Sequence, residues 1–311
     1  MHETTFRPTR RTFLLSAASS FGGLTLTPQC FAMADRSRKL PRLSLVVVSD
    51  THLGYRDKEH AARLWEQTAV EIGKSSAELV LHLGDIVDGG RELQYPIYLK
   101  TREKIGKPVH EIPGNHDPQP LFEKYIRQPV DTVVEHKWLR FLLLNNARSD
   151  SHDGFISDDQ LAWLETSCKE AENDGTYVAL CMHVPAHTNQ HPDRGWYVKP
   201  EHGQHELYNL LTRHRDRILC LMHGHFHNGI RGWEDHRPVH EIVFPSALYN
   251  QSRRLEEQNA PGYNLPEFRP GYTLITIDDG QMRLRYQPVG TADSVEKTCQ
   301  LVSLKSMQKQ Q

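Results

Sequence analysis

The sequence predicts an α/β fold, a layered sandwich in which helices cover sheets. Three observations predict it. Short apolar runs rich in Val and Leu alternate with longer amphipathic stretches up to about residue 224. From about Val239 onward the pattern turns to β alone. Polar residues with ligand chemistry gather where the apolar runs end. The 311 residues, 38% of them hydrophobic, are enough to bury a sizeable core. A formal net charge of -2 gives no sign of a nucleic-acid binder.

LSLVVVSD (43–50) is a continuous apolar run and reads as a buried strand. Residues 58–75 read as a helix, with Ala61, Leu64, Trp65 and Thr68 on one face. ELVLHLGD (78–85) is a second strand, and a helical stretch then runs to about Ile105 despite Pro96. PVHEIPGNHD (108–117) is a third strand entering a Gly-Asn turn, and WLRFLLLNN (138–146) a fourth. Residues 157–173 form a helix starting near Ser157 or Asp158, with Leu161, Leu164 and Cys168 on one stripe. TYVALCMH (176–183), a short helix ELYNLLTRH and RILCLMHG (217–224) complete the alternation. VHEIVFPS and residues 271–288 read as β, the latter a hairpin turning at Asp279-Gly280. Residues 251–270, charged and Pro-containing, read as an excursion loop. Residues 35–290 are expected to form the folded domain, and 291–311 a C-terminal extension that frays.

Residues 1–34 read as a signal peptide. Arg10 and Arg11 precede a mildly apolar segment broken by Gly and Ser, and Ala32 and Ala34 form a small-x-small site. The arginine pair followed by Thr12, Phe13 and Leu14 resembles a twin-arginine (Tat) signal. The expectation is export by the Tat machinery in folded form, cleavage after Ala34, a periplasmic or secreted product and no transmembrane anchor. Cys181 and Cys220 lie in core-like strands, where a thiol acts as a small hydrophobe.

Each core strand ends in a potential ligand. Strand one ends in Asp50 and His52, strand two in Asp85 and Asp88, strand three in Asn115, His116 and Asp117, strand five in His183. Strand six ends in MHGHFH, with His223, His225 and His227. Sites in α/β sheets form beyond the carboxyl ends of strands. Carboxylate, amide and imidazole together suit Mn, Fe, Zn or Co, and no thiolate is placed to join them. The ligands outnumber what one tetrahedral ion needs. Two ions sharing a bridging carboxylate would use them, and such a pair clamps the attacking and departing oxygens of a displacement.

The order D-x-H, G-D-x-x-D, G-N-H-D, a lone His and G-H-x-H resembles the calcineurin-like metallophosphoesterase superfamily over residues 43–250. The resemblance implies a four-layer α/β/β/α sandwich and two divalent or mixed-valence metal ions. It implies that Asp50, His52 and His227 hold one ion, that Asn115, His183 and His225 hold the other, and that Asp85 bridges them. His116 becomes the catalytic histidine beside the phosphate, and Asp117 the residue that orients it. Asp88 stands where purple acid phosphatases carry a tyrosine, which disfavours that subfamily. It reads as a helix cap or as a hydrogen-bond partner of the site. His223 falls outside the family pattern and reads as a substrate contact or a satisfied buried histidine rather than a ligand.

The implied activity is hydrolysis of a small phosphate ester by metal-bound hydroxide. The G-D-x-x-D form and SDDQLAWLE (157–165) resemble the cyclic-nucleotide and glycerophosphodiester phosphodiesterase branch. A phosphomonoesterase or nucleotidase, and a non-catalytic metal-binding relative, are the competing readings. The long segment 185–205 is expected at the pocket rim, with His187, His191, Trp196 and Tyr197 as candidate substrate contacts. Asn145 and Arg148 are further candidates for a phosphate.

Overall fold

β1 (Leu43–Val48) and β2 (Leu79–His82) are buried at every residue, which is why they read as unbroken apolar runs. The computed structural model describes residues 40–188, 195–227, 238–250 and 269–301. β1 and β2 pair in parallel, and β3 (Val109–Glu111) extends them on one side. On the other side β9 (Gly271–Asp278), β10 (Gln281–Pro288) and β11 (Val295–Gln300) form an antiparallel meander. The sheet order is β11-β10-β9-β1-β2-β3. A second sheet has the order β4-β5-β6-β7-β8, from β4 (Thr132–His136), β5 (Leu139–Leu144), β6 (Tyr177–Met182), β7 (Ile218–His223) and β8 (His240–Val243). Its last four strands run parallel.

Period-2 alternation decides the layers. Leu45 and Val47 of β1 point into a core shared with Phe141, Leu143, Cys181 and Met222 of the second sheet. Val46 and Val48 point the other way, towards Trp65, Ala69 and Ile72 of α1 (Lys58–Lys74) and Tyr95 and Tyr98 of α2 (Gln94–Arg102). The second sheet's outer face packs Leu142, Val178 and Leu221 on Leu164 and Cys168 of α4 (Asp158–Asp174) and Leu207 and Leu211 of α5 (Gln204–Arg213). The order helix, sheet, sheet, helix follows. Both α1 and α4 begin at side-chain caps, Asp57 for α1 and a Ser157/Gln160 capping box for α4.

Three elements were not expected from the sequence. β4 is a half-buried edge strand, and α3 (Gln119–Tyr125) is a short helix after Pro118. β11 replaces the fraying expected after residue 291: Val295 and Cys299 enter the core while Glu296, Thr298 and Gln300 face out. Its apolar residues are too sparse to announce a strand alone, and the register on β10 supplies the rest. Cys168 and Cys181 are buried free thiols, and Cys220 and Cys299 are buried as well. No helix among the described residues is long and apolar enough to cross a membrane. The expected signal peptide lies outside the described residues, as do His191 and the loop 251–268.

Candidate metal centre

β1, β2, β6 and β7 are parallel strands of two facing sheets, and their carboxyl ends meet on one side of the central core. The turns after them are tight. Asp50, His52, Asp85, His225 and His227 all adopt positive φ, which costs a non-glycine residue about 1–3 kcal/mol and clusters at functional sites. Gly84, also at positive φ, precedes Asp85, and a Cβ there would lie 2.6 Å from the His183 ring. Gly224 lets the chain pass Asp50, whose Oδ2 would be 2.6 Å from any Cβ at that position.

Three groups of side chains close on this end of the sheets: Asp50, His52 and His227; His52, Asp85 and His116; Asp85, His183 and His225. In the first, His227 Nε2 is 2.9 Å from Asp50 Oδ1 and 3.2 Å from His52 Nε2. In the third, His183 Nε2 is 3.2 Å from His225 Nδ1 and 3.3 Å from Asp85 Oδ2. The same Asp85 oxygen is 3.4 Å from His52 Nε2, so it stands between the two groups. Its other oxygen accepts the His116 backbone N–H at 2.8 Å. Asn115, the remaining expected ligand, is buried, and its Oδ1 meets no hydrogen-bond donor.

These contacts fit cations. His183 donates Nδ1–H to the Leu83 carbonyl at 2.6 Å, and His227 donates Nδ1–H to the Tyr249 carbonyl at 2.8 Å. In this tautomer a neutral ring would turn its Nε2 lone pair, not a proton, towards its neighbours. His227 Nε2 and Asp50 Oδ1 bring lone pairs together at 2.9 Å, an arrangement that a positive ion between them resolves. The spacings suit an ion bound at about 2.0–2.2 Å. The charges agree. Burial alone would raise the Asp50 and Asp85 carboxyls, yet the surrounding histidines hold both well below the carboxylate range. Burial would lower His183, but Asp85 outweighs it and lifts the imidazole to about 9. A proton is drawn to the position that a divalent ion would take.

His116 stands at the edge of the centre, half-buried, its ring 4.7 Å from that of His52. Its Nδ1 is 3.2 Å from Asp88 Oδ1 and 3.0 Å from the Gly89 N–H. One nitrogen cannot donate to the first and accept from the second together. Burial lowers the His116 pKa, but Asp88 and Asp85 raise it above the ordinary value, which favours a proton on Nδ1 shared with Asp88. Asp88 is therefore the partner of His116, and the same Oδ1 lies 3.5 Å from His52 Nδ1. It is no helix cap: α2 starts at Leu93 without a side-chain cap. Arg91 holds the other Asp88 oxygen at 2.7 Å.

The hydrogen bonds of the Asp117 carboxylate go to groups other than the His116 ring. The carboxylate accepts the backbone N–H groups of Ile86, Val87 and Gly114 and the Tyr95 hydroxyl, all within 2.9–3.1 Å. It ties the Asp85 turn to the Asn115 turn. Burial and the nearby Asp85 charge push it up to about 6.

The expected rim residues part company. Trp196 reaches the centre, 5.9 Å from the His225 ring and 4.8 Å from His152. Tyr197 packs with Phe226 and Val243, as Trp196 also does. His187 is buried, 6.5 Å from the His223 ring and 5.8 Å from Phe226. Arg148 pairs with Asp150 and lies over Phe155, and Asn145 donates to Gln119. His223 is buried, with Nε2 2.9 Å from Glu241 Oε1 and Nδ1 3.3 Å from the Met182 carbonyl.

Sequence reasoning missed Glu241 and His152. Glu241 receives His223, the Ala186 and His187 N–H groups and the Tyr208 hydroxyl. A carboxylate inside the apolar run VHEIVF demands such partners, so its signal was readable. His152 sits in a loop with no periodic signal. It lies 3.4 Å from the Asn115 amide nitrogen and 6.1 Å from the His225 ring.

Residues 43–229 match the description calcineurin-like phosphoesterase. The chain belongs to the calcineurin-like phosphoesterase family. With its paired ligand groups, this phosphoesterase is a two-metal-centre hydrolase of phosphate esters. A probable cyclic nucleotide phosphodiesterase of Rhodococcus erythropolis is 30% identical over 83% of this chain and 88% of its own. A 3',5'-cyclic adenosine monophosphate phosphodiesterase of Haemophilus influenzae is 25% identical, covering 81% and 92%. A glycerophosphodiester phosphodiesterase of Enterobacter lignolyticus is 27% identical, covering 78% and 90%. Among solved structures, a dimetal phosphatase from Danio rerio superposes with a TM-score of 0.61 at 14% identity, covering 85% of this phosphoesterase and all of that chain. That likeness concerns the fold.

Proposed function

We propose that this phosphoesterase hydrolyses small phosphodiesters. One observation carries the reading: a single oxygen, Asp85 Oδ2, lies 3.3–3.4 Å from histidines of both ligand groups. Asp50, His52 and His227 would hold one ion, Asn115, His183 and His225 the other, with Asp85 shared. Mn, Fe, Zn or Co suits this nitrogen and oxygen set. When bound, such a pair neutralises phosphate charge and supplies a nucleophile at neutral pH.

The chain's own groups do the rest. His116, protonated and anchored through Nδ1 on Asp88, presents Nε2–H to the departing ester oxygen and gives it the proton. Trp196 and His152 wall the side of the centre next to His225. The diester preference is supported by the relatives, which are named as cyclic-nucleotide and glycerophosphodiester phosphodiesterases. Residues 1–34 support Tat export to the periplasm or beyond, since that route carries proteins already folded.

The test is a panel of aryl and alkyl phosphate mono- and diesters with added Mn, Zn, Fe or Co. Turnover of diesters above the matching monoesters is expected. Faster monoester turnover would make the chain a phosphomonoesterase or nucleotidase. Two bound ions without turnover of any ester would make it a non-catalytic relative.

A further inference from the structure

We infer that His152 is a positioning residue, which fixes the Asn115 amide so that its oxygen faces the second ion. The inference rests on the two-metal reading and adds to it a residue outside the motif set.

The amide of Asn115 is a ligand of two faces. Its oxygen can bind a cation and its nitrogen cannot, so a half-turn about the last torsion would replace a ligand by two donors. The structure leaves Oδ1 buried and without a donor. Nδ2 lies 3.4 Å from His152 Nδ1, and the His152 ring is 6.1 Å from that of His225. An imidazole nitrogen that accepts this N–H selects the orientation. With the amide turned over, two lone pairs would face each other there, and the ion would meet an NH2 group.

His152 is itself held. Its ring lies 4.8 Å from Trp196 at an interplanar angle of 32°. Asp153 accepts the Trp196 N–H at 2.8 Å and pairs with Lys199 at 2.5 Å. The Gly154 N–H donates to the Tyr197 carbonyl at 3.2 Å. Residues 152–154 and 196–199 are thus stapled together, and the staple carries the imidazole to the amide. The second ion's ligand is set by a loop that follows β5, far in sequence from any ligand-bearing strand end.

Mn(II) titrated into the metal-stripped full chain tests this, read by calorimetry and by the EPR signal of unbound Mn(II). His152→Phe keeps a ring against Trp196 but removes the acceptor. His152→Asn places an amide oxygen near the former Nδ1. We expect H152F to bind the first ion as the wild type does and the second about 10–100-fold more weakly, the usual cost of losing a ligand's outer partner. H152N restores the second ion's affinity towards the wild type. If H152F binds both ions as tightly as the wild type, or H152N is as weak as H152F, the inference fails while the two-metal reading stands. If the wild type itself binds fewer than two ions, that reading fails and takes the inference with it.

Discussion

Asp88 Oδ1 lies 3.2 Å from His116 Nδ1, and the same oxygen is 3.5 Å from His52 Nδ1. One carboxylate thus backs both the expected proton donor and an expected ligand of the first ion. Asp88→Asn keeps the size and removes the charge. Its kcat should fall about 10–100-fold, the range for a lost outer partner of a metal site. The loss should be larger for alkyl leaving groups, which need the proton, than for p-nitrophenolate, which does not. Asp88 and Asp85 raise the His116 pKa, so the acid form persists to higher pH in the native protein. Without Asp88 the pKa falls, and the alkaline limb of the rate profile should move to lower pH. An unmoved limb and equal losses for both leaving groups would assign Asp88 a purely structural place.

Asp117 predicts a different phenotype. Four donors converge on it, three of them backbone N–H groups of the Asp85 and Asn115 turns. Asp117→Asn leaves buried N–H groups imperfectly paired, at a cost of about 1–3 kcal/mol. Thermal unfolding should show that loss, and metal titration a weaker centre. The dependence of rate on leaving group should stay that of the wild type, because the Asp117 carboxylate is spent on backbone N–H groups and the Tyr95 hydroxyl. A leaving-group effect like that of D88N would restore the orienting role expected from the motif.

The contrast shows what a sequence exposes. Strands buried on both faces, β1, β2, β6 and β7, announce themselves, and so do ligands placed where strands stop. Asp88 and Asp117 both follow a ligand closely, and spacing alone does not say which of them turns towards His116. That depends on Asp117 being spent on backbone groups of its own and the neighbouring turn. β11 and His152 were illegible for a related reason. Val295 and Cys299 make a strand only against β10, and His152 meets Asn115 only because Asp153 staples two loops together. Glu241 was readable in principle, as a carboxylate in an apolar run.

Asp85 offers a test of the shared oxygen. Asp85→Asn keeps an oxygen but removes the negative charge between two cations, so occupancy of both ions should fall together. Metal analysis after dialysis against a dilute chelator would show it. His116→Ala is the companion variant. It should keep both ions and lose about 10²–10⁴-fold in turnover, the usual contribution of a general acid. A D85N protein with two tightly bound ions would end the bridging assignment, and loss of metal from H116A would end the assignment of His116 as proton donor.

The buried pair of Glu241 and His223 sets a pH dependence of stability. Burial alone would raise the Glu241 carboxyl, but His223 at 2.9 Å, with His187 and the Tyr208 hydroxyl, holds it down to about 2. In the unfolded chain the same group titrates near its ordinary value, about 4.3. A carboxyl with a depressed folded pKa contributes its stability fully above the unfolded value and loses it as pH falls through the folded one. The contribution is therefore present at neutral pH, declines below about 4.3 and is gone below about 2. Glu241→Gln weakens the acceptor for the Ala186 and His187 N–H groups and the Tyr208 hydroxyl, so unfolding at pH 7 should become easier by about 1–3 kcal/mol. Denaturant unfolding of metal-stripped wild type and E241Q, compared from pH 6 down to pH 2.5, should show the gap between them closing. Removing the ions keeps acid release of metal out of the comparison. A gap that stays constant over that range would mean that Glu241 stabilises the loop through neutral hydrogen bonds to Ala186 and His187, and not through its charge on His223.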